Sequence, residues 1–317
     1  MIWKELKQQA PFFVLAPMDD VTDSVFRRIV AQSAAPDLYF TEFVSVDGLS
    51  SQGRDALWKK LEYTDTETPL IAQVWGLRPE NYKSIAEELS GMGFAGIDIN
   101  MGCPVPVVTK NGACSALIKN RPLAKDIIEA TIEGAGDTPV SVKTRIGFDA
   151  IDLTWPEMLM ELDIAALSIH GRTTKEMSKV PCHWDIIGDI VKMRDEKNPD
   201  LPIIGNGDVL SRQQGVELAN EWGVDGIMIG RGIFQDPFVF AENSPWSEMP
   251  KGDKLDLYKQ HIDMFIDFWG GKKNPASLKK FAKVYVNGFD GASSVRSELM
   301  DCNTAEELLR VLNDQDT

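Results

Sequence analysis

Histidine is scarce in this chain, with three in 317 residues, at positions 170, 183 and 261. A metal centre built on histidine is therefore not expected, and no metal is assigned. Cysteine is nearly as rare. Cys103, Cys114, Cys182 and Cys302 match no zinc or redox spacing, and four scattered thiols suit a reducing compartment better than a disulfide framework. No apolar run approaches the roughly 20 residues of a membrane span. The first ten residues are polar and contain lysine, with no apolar signal core. A cytoplasmic protein with no membrane partner is the expectation. No Gly-x-Gly-x-x-Gly follows the first apolar run, which weakens a dinucleotide-binding open sheet. Basic charge is also in deficit: 33 Lys and Arg stand against 48 Asp and Glu, a formal net charge of −15. Taken alone, that argues against a nucleic-acid partner.

What is present is a rhythm. Short apolar runs recur at 12–16, 38–41, 70–74, 95–100, 140–144, 165–169, 203–205 and 226–229. Helical periodicity fills gaps between them, at 23–31, 79–92, 122–133, 184–193 and 212–222. Strands apolar throughout are those buried on both faces by helices. Eight alternating units predict an α/β fold, a (β/α)8 barrel over residues 1–241, with an open doubly wound sheet as runner-up. The pattern then changes. Residues 242–253 read as a linker rich in Pro, Ser, Glu and Lys. Helices are predicted at 255–269, 276–287, 292–300 and 305–313, the last opened by the capping box Thr304-Ala305-Glu306-Glu307. Residues 242–317 therefore read as a linker and a small helical domain. Between 272 and 296 it holds six basic residues against Asp290 alone. That is either a solvated face or a surface for a polyanion.

Polar residues gather where the strands end. Cys103 follows the run 94–99 within Asn100-Met101-Gly102-Cys103-Pro104, just past a strand's carboxyl end, where barrels build their active sites. A thiol there can donate a proton, attack an electrophile or bind a metal. Asn206-Gly207-Asp208 and Gly230-Arg231-Gly232 follow the seventh and eighth runs. They are either ordinary glycine turns or a site where backbone N–H groups approach a phosphate. Lys143 lies inside an apolar strand. It either pairs with Glu42 or Asp98, or sets a cation beside an electron-rich ring. Gln73 offers a donor and an acceptor to a ring edge. His170 is a core histidine or a ligand-binding one. Cys114, Cys182 and Cys302 read as structural.

Taken in order, these motifs resemble the tRNA-dihydrouridine synthases. The matching segments are Ala16-Pro17-Met18 with Val21-Thr22-Asp23, Thr41-Glu42, Asn100 to Pro104, and Gly112-Ala113 before Ser115-Ala116-Leu117. Lys143 to Gly147, His170 to Thr173, Gly205 to Asp208 and Gly230-Arg231 follow. The resemblance extends to Lys279–Arg296 and so covers nearly the whole chain. It implies an FMN-dependent barrel that reduces uridines of tRNA, using NADPH as reductant. Cys103 is implied as the general acid. Pro17, Met18, Asp19, Gln73, Lys143, His170, Asn206, Gly207, Asp208, Gly230 and Arg231 are implied to hold FMN. Asn100, Arg145 and Arg172 are implied near the target nucleotide, and Lys279, Lys280, Lys283 and Arg296 on the RNA. One segment departs: residues 178–183 replace the family's Tyr–small–Gly stretch before Trp184. A monomer is the default expectation. The competing readings are an FMN reductase of a free pyrimidine or another small conjugated carbonyl compound, and a flavin- or RNA-binding protein without catalysis.

Overall fold

The computed structural model describes residues 2–316. Among the described residues, nine parallel strands carry the fold: β1 Phe12–Leu15, β2 Tyr39–Phe40, β3 Val44–Ser45, β4 Leu70–Trp75, β5 Gly96–Met101, β6 Val140–Arg145, β7 Ala166–His170, β8 Ile203–Asn206 and β9 Gly226–Ile229. Their order is β1-β9-β8-β7-β6-β5-β4-β2, with β3 also on β4. A parallel bridge from Val14 to Leu38 closes the ring. The (β/α)8 barrel expected from the apolar rhythm is the observed fold.

The second run is the exception. It is interrupted at Thr41, whose hydroxyl accepts from the Gln73 N–H (3.0 Å) and donates to the Glu42 carbonyl (2.8 Å). A side chain thus replaces a ladder bond, and the strand resumes only at Val44, opposite Val74. The break turns Glu42 inward, where its carboxylate is fully buried and accepts from the Asp20 N–H (2.5 Å).

A helix over Ile2–Gln8, hidden in a stretch that reads as merely polar, covers the amino-terminal end of the barrel. Trp3 and Leu6 are its buried residues. They pack with Phe12, Val14, Phe40, Ile71, Ala166, Ile204 and Met228, the side chains that fill the interior. The floor is therefore closed by packed apolar groups, which leaves the carboxyl ends of the strands as the open side.

The predicted carboxyl-terminal helices are found at Lys251–Trp269, Ala292–Asp301 and Ala305–Asn313, and the Thr304 capping box is present. The remaining one is split into a tight turn, Pro275–Phe281, and one α-turn, Ala282–Tyr285. These helices meet the barrel along Ser24–Ala34. Phe281 lies 4.7 Å from Phe26, centroid to centroid, and Asp23 accepts from Trp269 Nε1 (3.0 Å) and Lys273 Nζ (2.9 Å).

Candidate active site

A cavity of about 630 Å³ opens at the carboxyl ends of the strands. Its walls include Pro17, Met18, Asn100, Cys103, Lys143, Arg145, His170, Asn206, Gly207, Asp208, Gly230 and Arg231. The order of the barrel explains the gathering, since each of these residues ends a strand or follows one. Seven residues assigned to the site from the sequence do not line this cavity. Gln73 is fully buried beneath Asn100. Arg172 is buried behind the loop that follows β7. Asp19 turns outward to Lys60 Nζ (2.8 Å). The tail residues lie on the helical region.

Beneath the cavity runs a chain of hydrogen bonds. Ser141 Oγ donates to Asp98 Oδ1 (2.6 Å), and Gln73 Nε2 donates to Asp98 Oδ2 (2.8 Å). Asn100 Nδ2 donates to Gln73 Oε1 (3.0 Å). Asn100 Oδ1 accepts from the N–H groups of Gly102 (3.0 Å) and Cys103 (2.9 Å). Register explains the row, because Gln73 stands beside Asp98 and Asp98 beside Ser141 on adjacent strands. Burial pushes the Asp98 carboxyl up to about 6, against the hydrogen bonds from Ser141 and Gln73. Sequence reasoning treated Asp98 only as a possible counter-ion. The signal for more was its place two residues before Asn100, on the same strand face.

Cys103 is half-buried. A hydrogen bond from the Cys114 thiol is the largest influence on it. The Val105 N–H and the Arg145 charge act in the same direction, and burial opposes them. The result is a thiol brought down to about 7. The two segments are pinned together by Ser115, whose hydroxyl donates to the Cys103 carbonyl (2.8 Å). Cys114 is fully buried, with φ of 52°, a backbone region uncommon outside glycine. Its contact with Cys103 was not legible in the sequence, where it read as packing alone.

Lys143 pairs with neither Glu42 nor Asp98; its Nζ donates to Asn206 Oδ1 (3.1 Å). Burial, reinforced by the nearby Arg145 charge, lowers the ammonium to about 8. His170 is driven well below the ordinary imidazole range by burial and by Arg145, Lys143, Arg172 and Arg231, so it is neutral at pH 7. Arg145 braces the mouth. It donates to the carbonyls of Gly102 (2.7 Å), Thr173 (3.1 Å) and Met177 (3.0 Å).

The two glycine turns form one cradle. A side chain at Gly207, where φ is 138°, would run into the Cys182 sulfur. Asp208 does not face an anion. Its carboxylate is bound by Arg172, by the Cys182 N–H (3.0 Å) and by Arg231 (3.3 Å). Gly207, Gly230 and the exposed Arg231 line the cavity beside it. The divergent loop before Trp184 is tied down by the same groups, with Arg172 Nε donating to the Val180 carbonyl (2.6 Å).

On the helical region, Lys280 binds the Asp20 carboxylate (2.5 Å), and Lys279 donates to the Met300 carbonyl (2.6 Å). Arg296 donates to the Val286 carbonyl (2.6 Å) and, with Lys283, lines a groove of about 840 Å³. Gln235 lines both the groove and the mouth cavity.

A barrel whose thiol, lysine and glycine turns converge at one mouth defines an enzyme of the carboxyl-end type. A sequence model described as dihydrouridine synthase matches residues 14–316. The probable tRNA-dihydrouridine synthase 2 of Bacillus subtilis (strain 168) is 44% identical over 316 residues, which is 98% of this chain and 95% of that protein. A probable tRNA-dihydrouridine synthase of Staphylococcus aureus (strain COL) is also 44% identical, over 98% of this chain and 94% of its own. The chain belongs to the dihydrouridine synthase family. Distant solved structures share the fold alone. Morphinone reductase aligns with a TM-score of 0.53 at 14% identity, over 72% of this chain and 84% of that one. Histamine dehydrogenase from Rhizobium sp. 4-9 aligns with a TM-score of 0.56 at 12% identity, over 80% and 48%.

Proposed function

We propose that this chain reduces the C5=C6 bond of uridines in tRNA to dihydrouridine, as a cytoplasmic monomer that holds FMN and uses NADPH. Residues 1–241 form the catalytic unit; residues 242–317 form the linker and the helical unit that grips RNA. The observation that carries the reading is a half-buried thiol near neutrality in the same cavity as a lysine ammonium and a glycine cradle. These residues suit FMN. Met18, His170 and Gly230 line the cavity where its ring would lie, and Gly207, Gly230 and Arg231 suit its phosphate. When bound, FMN supplies hydride to C6 of the uracil ring after its own reduction by NADPH.

Cys103 delivers the proton to C5, quenching the enolate charge that develops on the ring. Lys143 holds a cation where negative charge builds, pre-positioned by Asn206. Asn100 and Arg145 frame the opening, and the target base must leave the RNA stack to reach it. Lys283 and Arg296 face the RNA backbone from the groove. Lys280→Ala is expected to change the salt dependence of tRNA binding little, since Asp20 already neutralises Lys280. Lys283→Ala is expected to lower that slope by about one. Binding titrations across a KCl series separate the two.

The direct test is an absorbance spectrum followed by NADPH and then tRNA lacking dihydrouridine. Flavin bands bleached by NADPH and restored by that tRNA are the expected result. Restoration by free uridine but not by tRNA would replace this reading with a small-molecule reductase.

A further inference from the structure

The chain of bonds beneath the mouth has a direction. A carboxylate only accepts, and the backbone N–H groups at the other end only donate. Between them stand two amides, Gln73 and Asn100, each of which could face either way if left alone. Asp98 Oδ2 takes the Gln73 Nε2 side, so Gln73 Oε1 must face Asn100 Nδ2. Asn100 Oδ1 is then turned to the N–H groups of Gly102 and Cys103. Both ends demand the same orientation, and every link is buried except the last, to the half-buried Cys103. We propose that Asp98 is a positioning residue for the reaction: as a fixed acceptor, it sets the orientation of Gln73 and Asn100 and thereby the seat of Cys103.

The role rests on geometry rather than charge. Both Asp98 oxygens are occupied, by Ser141 and Gln73, while the nearest cation, Lys143, directs its Nζ to Asn206. An asparagine at 98 would preserve the chain. Its Oδ1 would accept from Gln73, and its Nδ2 would donate to Ser141 Oγ. An alanine would remove the acceptor at one end, leave Gln73 Nε2 without its partner, and leave Asn100 held only by the Gly102 and Cys103 N–H groups, so that the seat of Cys103 loosens. This inference rests on the reading of Cys103 as the proton donor.

The test uses the full chain as purified. Iodoacetamide labelling of Cys103 is followed by mass spectrometry across a pH series, alongside kcat and KM on tRNA. The wild-type labelling rate should reach its midpoint near 7. Asp98→Ala is expected to move that midpoint toward the free-thiol value of about 8.5. It should lower kcat by about 10- to 100-fold, the size expected when a buried donor loses its partner. KM for tRNA should change little, because Lys283 and Arg296, proposed to face the RNA backbone, lie in the separate groove. Asp98→Asn should restore both the midpoint and kcat.

Two results would overturn the proposal. One is an unchanged labelling midpoint in Asp98→Ala. The other is an Asp98→Asn variant as impaired as the alanine, which would make charge the active property. If Asp98→Ala does not fold, Gln73→Met cuts the same chain at its next link and must reproduce the shifted midpoint. Failure of the underlying reading looks different: Cys103→Ala would keep its turnover while the labelling midpoint still responded to Asp98.

Discussion

Replacing Cys103 by alanine is expected to lower kcat on tRNA by about 10²- to 10⁴-fold, the range lost with a positioned general acid. Flavin content and tRNA affinity should persist, because Cys103 is one of many residues lining the cavity and takes no part in the groove proposed for RNA. The pH dependence gives an independent check. In the proposed role the donor is the protonated thiol, and the Cys114 hydrogen bond, the Val105 N–H and Arg145 bring its midpoint to about 7. Raising the pH through that value removes the donor form, so kcat/KM should fall on the alkaline side. The residual activity of Cys103→Ala should lack that limb. An alanine variant with wild-type kcat would remove Cys103 from the reaction.

The largest expected loss of stability lies away from the mouth. Glu67→Ala is expected to cost about 3–5 kcal/mol, the price of leaving a buried charge without its partner. Arg27 and Glu67 are both fully buried, 2.6 Å apart. Arg27 also donates to the carbonyls of Thr22 (2.7 Å) and Glu62 (3.1 Å), while Glu67 accepts from Ser24 Oγ (2.5 Å) and the Thr64 N–H (2.9 Å). The pair joins the helix Ser24–Ala34 to the segment that leads into β4. A drop in Tm of roughly 10 °C should be seen by thermal scanning. The double replacement Arg27→Met with Glu67→Leu should be far milder, because no unpaired charge remains. A Tm for Glu67→Ala within a degree or two of wild type would show that water reaches the site.

The barrel was legible because its strands are buried on both faces and so read as unbroken apolar runs. Interruptions were less visible. Thr41 ends β2 with a side-chain hydrogen bond, and no periodicity marks that. The helix Ile2–Gln8 escaped because Trp3 and Leu6 are outnumbered by lysine and glutamine in a ten-residue window. At the site, residue types at strand ends pointed to one mouth, and the cavity gathers Cys103, Lys143, Asn206 and Arg231. What the sequence does not display is partnership over distance. Lys280 reads as a free cation until Asp20, 260 residues earlier, is found beside it. Asp208 reads as part of an anion site until Arg172 is seen to claim it. Gln73 and Asp98 form one unit only because β4 and β5 are neighbours in register.

The closed floor under Trp3 has a kinetic consequence. With the far end of the barrel packed shut, a flavin held as proposed is reached by reductant and RNA through the same doorway. The proposed function therefore predicts that each must leave before the other enters. Turnover then alternates between two half-reactions, with the reducing equivalents stored in between. An excess of either partner should obstruct the other rather than hasten it.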